Sequence, residues 1–276
     1  MNERANADPR ESCQAIVRQL ATVDFPWDTT RSLELALFRT FASPRIGGLL
    51  HSTGEFESRA QKRYDDTDLI VSEILENGFD SPRGARAIAR MNALHSRFRI
   101  ANEEFLYVLS TFVLEPIRWN RRFGWRPMSA AEKLAWFRFW RETGERMSIR
   151  DIPGDLDAFA AFSSAYEAAN FRYTRASEAV AVATRELFAS WFPGFLRPLV
   201  RRSIHALLDP SLAGALGLAP APRWLVWAAE AALRWRARVL RCLPRRRTPR
   251  LRTRIPRRDY PAGYEIESLG PPPPGG

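Results

Sequence analysis

One histidine, His95, falls in an apolar stripe at helical spacing with Ile88, Met91 and Phe98. Upstream, a second stripe of Phe56, Ala60, Arg63, Thr67, Ile70 and Ile74 carries an arginine on its inner face. An arginine between apolar neighbours must be paired or must meet an anion, because burying it alone is costly. Of the two carboxylates that follow, only Asp66, at i+3, shares its face. Periodicity allows two readings: a structural arginine beside a satisfied buried histidine, or a pair that receives a ligand. The chain has 3 histidines. His51, four residues before Glu55, reads as part of a turn or cap, and His205, between Arg201-Arg202 and Leu207-Leu208, as structural. A site with one protein nitrogen ligand is too poor for zinc or non-haem iron but suits haem, whose porphyrin supplies the other four donors.

The elements that must position these residues are helical. Asp80-Ser81-Pro82 is a helix start, with a side-chain acceptor ahead of proline in the first turn. In the helix that follows, Arg83, Arg86, Arg90 and Arg97 recur on the outer side, where the spacing predicts that they stay wet. Residues 55 to 77 form the preceding helix. An almost wholly apolar helix from about 102 to 115, with Phe105, Tyr107, Val108, Leu109, Phe112 and Val113, should be central. Pro116 is expected to kink or stop it. Glu115 is expected to pair with Arg118 at i+3 rather than to carry a proton. A helix near 10 to 22 opens the chain, followed by Thr30 to Ala42 and a short helix after Ser43-Pro44 that Gly47-Gly48 weakens. Ser129 with Glu132 forms a capping box for a helix to about Met147. Further helices run from 155 to 171, 175 to 191 and 195 to 208, and a last one begins near Pro222. With no alternating strand pattern and no repeat, the fold class is all-α: a single helical domain with a basic C-terminal helix and tail. Residues 1–29 read as a helical extension, 30–243 as the main domain and 244–276 as an Arg/Pro-rich tail, extended or disordered to Pro271–Pro274.

The chain has 276 residues, 45% of them hydrophobic, enough for one sizeable core. The net charge is +11, but residues 223–258 hold all of it, with thirteen arginines against Glu230 alone. That concentration suits weak contact with an anionic membrane surface, aided by Trp224, Trp227 and Trp235 interleaved with Arg234, Arg238 and Arg241. No nucleic-acid partner is expected. In the blander reading the tryptophans pack on the core and the arginines are solvated. Cys13 and Cys242 suggest neither a disulfide framework nor a zinc site. Asn2, Glu3, Arg4 and Asp8 do not resemble a signal peptide, and the longest charge-free apolar runs, Phe105–Leu114 and Leu187–Leu196, are far below the roughly 20 residues of a spanning helix. A cytoplasmic protein, soluble or peripheral on a membrane, is the expectation. Glycine-loop nucleotide motifs, H-E-x-x-H and the Glu-x-x-His of di-iron bundles are all absent.

The runs Gly54-Glu55-Phe56, Arg59, Lys62 to Thr67, Asn92-x-x-His95, Asn102 to Ser110, Pro116-x-x-Trp119 and Tyr260-Pro261-x-Gly263-Tyr264 resemble the MpaB and rubber-oxygenase (latex clearing protein) family over residues 30 to 270. The resemblance implies a globin-like helical core that binds haem b. His95 would be the proximal iron ligand, Arg63 and Thr67 the polar pair beside the haem and the catalytic candidates, and Arg59 a further propionate contact. It implies O2 as co-substrate and an apolar, isoprenoid or prenylated substrate undergoing C=C cleavage or oxygenation. Some rubber oxygenases carry a lysine just before the motif threonine, able to cap the iron; here that position is Asp66. Fungal relatives are membrane-anchored, and no comparable anchor is expected here. The alternative is a non-enzymatic peripheral-membrane or nucleic-acid-binding helical protein that uses its basic C-terminal segment.

Overall fold

The computed structural model describes residues 9–271; the opening acidic and basic residues and most of the final proline run lie outside that range. The described residues contain thirteen α-helices and no strand. These are α1 (Pro9–Gln19), α2 (Pro26–Phe41), α3 (Pro44–Ser52), α4 (Glu55–Ser58), α5 (Ala60–Asn77), α6 (Pro82–His95) and α7 (Asn102–Phe123). They are followed by α8 (Ala130–Arg146), α9 (Leu156–Asn170), α10 (Arg175–Ser190), α11 (Arg197–Leu207), α12 (Pro210–Ala215) and α13 (Arg223–Cys242).

Helix α7 is central, as its composition requires, and packs on α2, α8, α9 and α13. Of the two outcomes expected at Pro116, the stop does not occur: the helix runs on to Phe123. Proline strands the carbonyl four residues back, which is that of Phe112, and the buried Trp136 indole of α8 donates to that oxygen at 3.0 Å. A cross-helix bond thus replaces the one that proline removes. The capping box at Ser129 forms as expected, and Ser81 caps α6 by accepting from the Gly84 amide at 2.9 Å.

The single helix expected over 55–77 is two helices, α4 and α5, broken at Arg59 (φ −138°, ψ 44°). Gly47 does more than weaken α3. A Cβ there would meet Ser177 Oγ at 2.4 Å and the Phe41 carbonyl at 2.6 Å, so glycine is what lets α3 lie against α10. The core divides into two apolar clusters, one around α1, α5, α7 and α8, the other around α2, α10 and α12. A half-buried charge cluster ties α2, α7, α9 and α12 together. Arg39 of α2 pairs with Glu115 of α7 at 2.9 Å, Glu167 of α9 at 3.0 Å and Asp209, the N-cap of α12, at 2.6 Å. Glu115 also takes Arg118 at 2.7 Å, the i+3 pair expected.

The segment after Pro244 is extended but not loose. Arg252 and Arg257 pair with Asp68 of α5, Glu76 accepts from the Arg252 and Thr253 backbone, and Ile266 and Leu269 are buried in the larger core. The outer arginines of α6 are not simply wet either. Arg83 pairs with Glu73, Arg86 with Glu267, and Arg90 donates to the Leu269 carbonyl. Arg86 and Arg90 grip the returning C-terminal segment and Arg83 holds α5, partners that a helical wheel cannot show.

Candidate functional site

His95 is the last residue of α6. One turn earlier Asn92 donates to the Arg146 carbonyl at 3.0 Å, tying the end of α6 to the end of α8. The imidazole is half-buried, with Phe105 of α7 against it at a ring-centroid distance of 5.3 Å. Its Nδ1 is buried and has no hydrogen-bond partner, so the satisfied structural histidine is not what the chain builds. Burial, and secondarily the Arg63 charge, push its pKa down to about 4. At neutral pH the ring is uncharged and has a lone pair to give.

Helix α5, which carries Arg63, packs on α6. Arg63 sits on α5 over the Phe56 ring at 5.2 Å and hydrogen-bonds Thr67. Thr67 in turn donates to the Arg63 carbonyl at 3.0 Å. Arg63 makes no ion pair among the described residues, and burial lowers its pKa. Asp66, the expected partner, faces elsewhere: it takes Lys62 at 2.9 Å and the Tyr260 hydroxyl. The reason is that Lys62 stands one turn back on the same face and Tyr260 arrives from the far end of the chain. Arg59, in the break between α4 and α5, is exposed and pairs with Glu55. His51 bonds Glu57 at 2.6 Å rather than Glu55. His205 accepts its structural role, with Nδ1 against the Ala219 carbonyl at 2.8 Å.

A cavity of about 60 Å3 opens between α2, α5 and α7. Leu33, Leu37, Val71 and Phe112 give it an apolar wall, and Thr67 and Glu34 bring polar atoms to it. It reaches Thr67 but is not lined by Arg63 or His95. Glu34 is the functional-looking group that sequence reasoning missed. It is buried, accepts from Tyr64 at 2.7 Å, pairs with Arg31 at 2.6 Å, and burial raises its pKa to about 7. The signal available was a lone acid in the Leu33–Phe38 stretch. Tyr64 and Arg252 also line an outer pocket of about 220 Å3, so they form the wall between inside and outside.

Among the described residues no group of three or more His, Cys, Asp or Glu is placed to hold a metal ion. The chain's own offering is instead one neutral histidine and one half-buried arginine without an ion pair, on adjoining helices. That donor set fits a cofactor that brings most of its own ligands and carries a negative charge.

The fold and site thus define an all-helical protein with a single-histidine polar centre in an apolar interior. A family model for "ER-bound oxygenase mpaB/B'/Rubber oxygenase, catalytic domain" matches residues 31–242. The chain is 30% identical over 238 residues to the "ER-bound oxygenase mpaB'" of Penicillium brevicompactum, covering 78% of this chain and 55% of that protein. It is 34% identical over 145 residues to the "ER-bound oxygenase mpaB" of Penicillium roqueforti (strain FM164), covering 50% and 49%. The chain therefore belongs to the MpaB/rubber-oxygenase family, a family of oxygenases. It spans about half the length of the curated relatives it matches. Those relatives are named as bound to the endoplasmic reticulum, which lends the expected cytoplasmic location no support. In this chain no helix among the described residues is long and apolar enough to cross a membrane.

Proposed function

We propose that the protein is a haem b-dependent oxygenase that uses O2 to cleave or oxygenate a C=C bond of an apolar, isoprenoid or prenylated substrate. The observation that carries this reading is the pairing of a neutral His95, whose buried Nδ1 has no partner, with a half-buried Arg63 that has no carboxylate. When bound, haem would supply an iron centre able to activate O2, and His95 would hold it. The chain's residues do the rest. His95 gives its lone pair, and because its basicity is suppressed no proton competes for it near neutral pH. Arg63 offers a desolvated positive charge to an anionic group such as a propionate, and Thr67 holds the guanidinium in place. Arg59, already paired with Glu55, is left a lesser part at the site's edge. The side chains of Leu33, Leu37 and Phe112 give Thr67 an apolar neighbourhood.

An optical spectrum of protein produced with ample haem tests this directly. A Soret band and stoichiometric pyridine haemochrome are expected, lost in His95→Ala and kept in His51→Ala and His205→Ala. Retention of haem by His95→Ala would overturn the assignment. The loaded protein should consume O2 when an isoprenoid olefin is added; a haem that is six-coordinate in both oxidation states and inert toward a prenyl panel would point to electron transfer or sensing.

A further inference from the structure

We propose that α13, with the segment around α11 that packs on it, is a docking surface for an anionic lipid bilayer, with α13 lying in the plane of the interface. This inference does not depend on the cofactor. Of the eleven large hydrophobic residues exposed among the described residues, eight fall between Phe192 and Leu243. Phe195 is 81% exposed, and Trp224, Trp227 and Trp235 are 65%, 74% and 66% exposed. A soluble surface scatters such residues singly; gathered in one region they mark an interaction site.

The pattern on α13 is directional. At about 100° per residue, Trp224 and Trp235 project within about 20° of each other and Trp227 about 60° to one side. The residues that α13 buries, Leu225 and Ala237, lie on the other side of the helix. The reading in which the tryptophans pack on the core is therefore corrected: Leu225 and Ala237, with Arg236 on Asp28, Glu230 on Arg122 and Arg241 on the Trp125 carbonyl, make the contacts with the protein. Next to the tryptophans on the wheel come Arg234, Arg238 and Arg241, and Arg245 to Arg247 follow the helix.

Charge selects the occupant. Residues 192–247 contain eleven arginines and two acids, Asp209 and Glu230. Both acids are engaged within the protein, Asp209 by Arg39 and Glu230 by Arg122 and Arg234. The surface therefore shows cations beside aromatic rings, complementary to anionic headgroups above an acyl layer, where tryptophan settles at headgroup depth. Glu230 and the arginines of α13 bar it from spanning, so it lies on the membrane. Aliphatic Leu199, Val239 and Leu243 share the exposure and have no use against phosphates and bases, which favours lipid over nucleic acid.

The test uses the full chain with phosphatidylcholine vesicles and with vesicles carrying about 30% phosphatidylglycerol. Co-sedimentation should favour the anionic vesicles by about tenfold or more. Tryptophan emission should shift to the blue and be quenched by brominated acyl chains. Trp224→Ser/Trp227→Ser/Trp235→Ser should weaken binding about tenfold or more with the far-ultraviolet circular dichroism unchanged, since these rings are exposed. Arg238→Gln/Arg246→Gln/Arg247→Gln should erase the preference for anionic lipid. The proposal falls if neither vesicle binds, or if the tryptophan variant binds as the parent does. It falls equally if light scattering shows a dimer that the tryptophan variant dissociates, or if duplex DNA outcompetes the vesicles.

Discussion

Arg63 and Thr67 hold each other in both directions: the guanidinium donates to the threonine hydroxyl, and that hydroxyl donates to the arginine's own carbonyl at 3.0 Å. The threonine is thus the one side-chain acceptor of a half-buried cation among the described residues. Thr67→Val keeps the shape and removes the acceptor. We expect a loss of about 1–3 kcal/mol in denaturant unfolding, together with weaker haem binding at an unchanged Soret position, because the histidine ligand is untouched. A variant as stable as the parent would show that Arg63 finds another acceptor.

Two buried groups make opposite contributions in the same pH window. His95 titrates near 4 in the folded chain against an ordinary 6.5, so the unfolded chain binds the proton first. Its contribution is full above pH 6.5 and is lost as pH falls toward 4. Glu34 titrates near 7 against an ordinary 4.5, so the folded chain binds the proton first. Its contribution is full below pH 4.5 and is lost as pH rises through 7. Between about pH 4.5 and 6.5 the two nearly cancel. In haem-free protein, Glu34→Gln should expose the His95 dependence, with stability climbing more steeply with pH than in the parent by at most about 1.4 kcal/mol per unit. Parallel stability–pH curves for the two proteins would show that Glu34 is not so perturbed.

Helix α7 shows how much of the fold the sequence carries and where local reasoning stops. Its apolar composition predicts a central helix, and it is one; Pro116 predicts a break, and there is none. Local rules see the missing N–H but not the Trp136 indole that arrives from α8 to occupy the Phe112 carbonyl. The helices that carry His95, Arg63 and Thr67 were legible in the helical periodicity. The Glu34–Tyr64 bond, the Arg39 cluster and the Tyr260 bond of Asp66 were not, because each joins residues 30 to 194 positions apart, beyond any helical period. Trp136→Phe tests the substitution of one bond for another. It keeps most of the ring packing and leaves a buried carbonyl unpaired, so unfolding free energy should drop by about 1–3 kcal/mol. A loss of α7 helicity specific to this variant, read by amide exchange around Phe112, would locate the effect.

The C-terminal segment yields the largest expected effect, and one that composition alone reads in the opposite sense. As an Arg/Pro-rich tail it looks dispensable. In the structure it partners the acids of α5: Tyr260 donates to Asp66, Arg252 and Arg257 pair with Asp68, Tyr264 donates to Glu73 at 2.6 Å, and Thr253 bonds Glu76. Ile266 and Leu269 fill the core, Arg97 donates to the Pro271 carbonyl at 3.1 Å, and the left-handed Gly270 (φ 88°) passes so close to Leu94 that a Cβ would stand 2.7 Å from its Cδ1. Leu94 is the neighbour of His95, so the segment braces the end of α6 that presents the imidazole. Deleting the chain after Pro244 should therefore cost more than about 4 kcal/mol, in the range that unpaired buried charges and lost core side chains produce together, and should abolish haem retention. Tyr264→Phe provides a milder probe: Arg83 still holds Glu73, so a loss of about 1 kcal/mol is expected, with haem content preserved. A truncated chain that unfolds at the same denaturant concentration as the full one would show that α5 neutralises its acids without the returning segment.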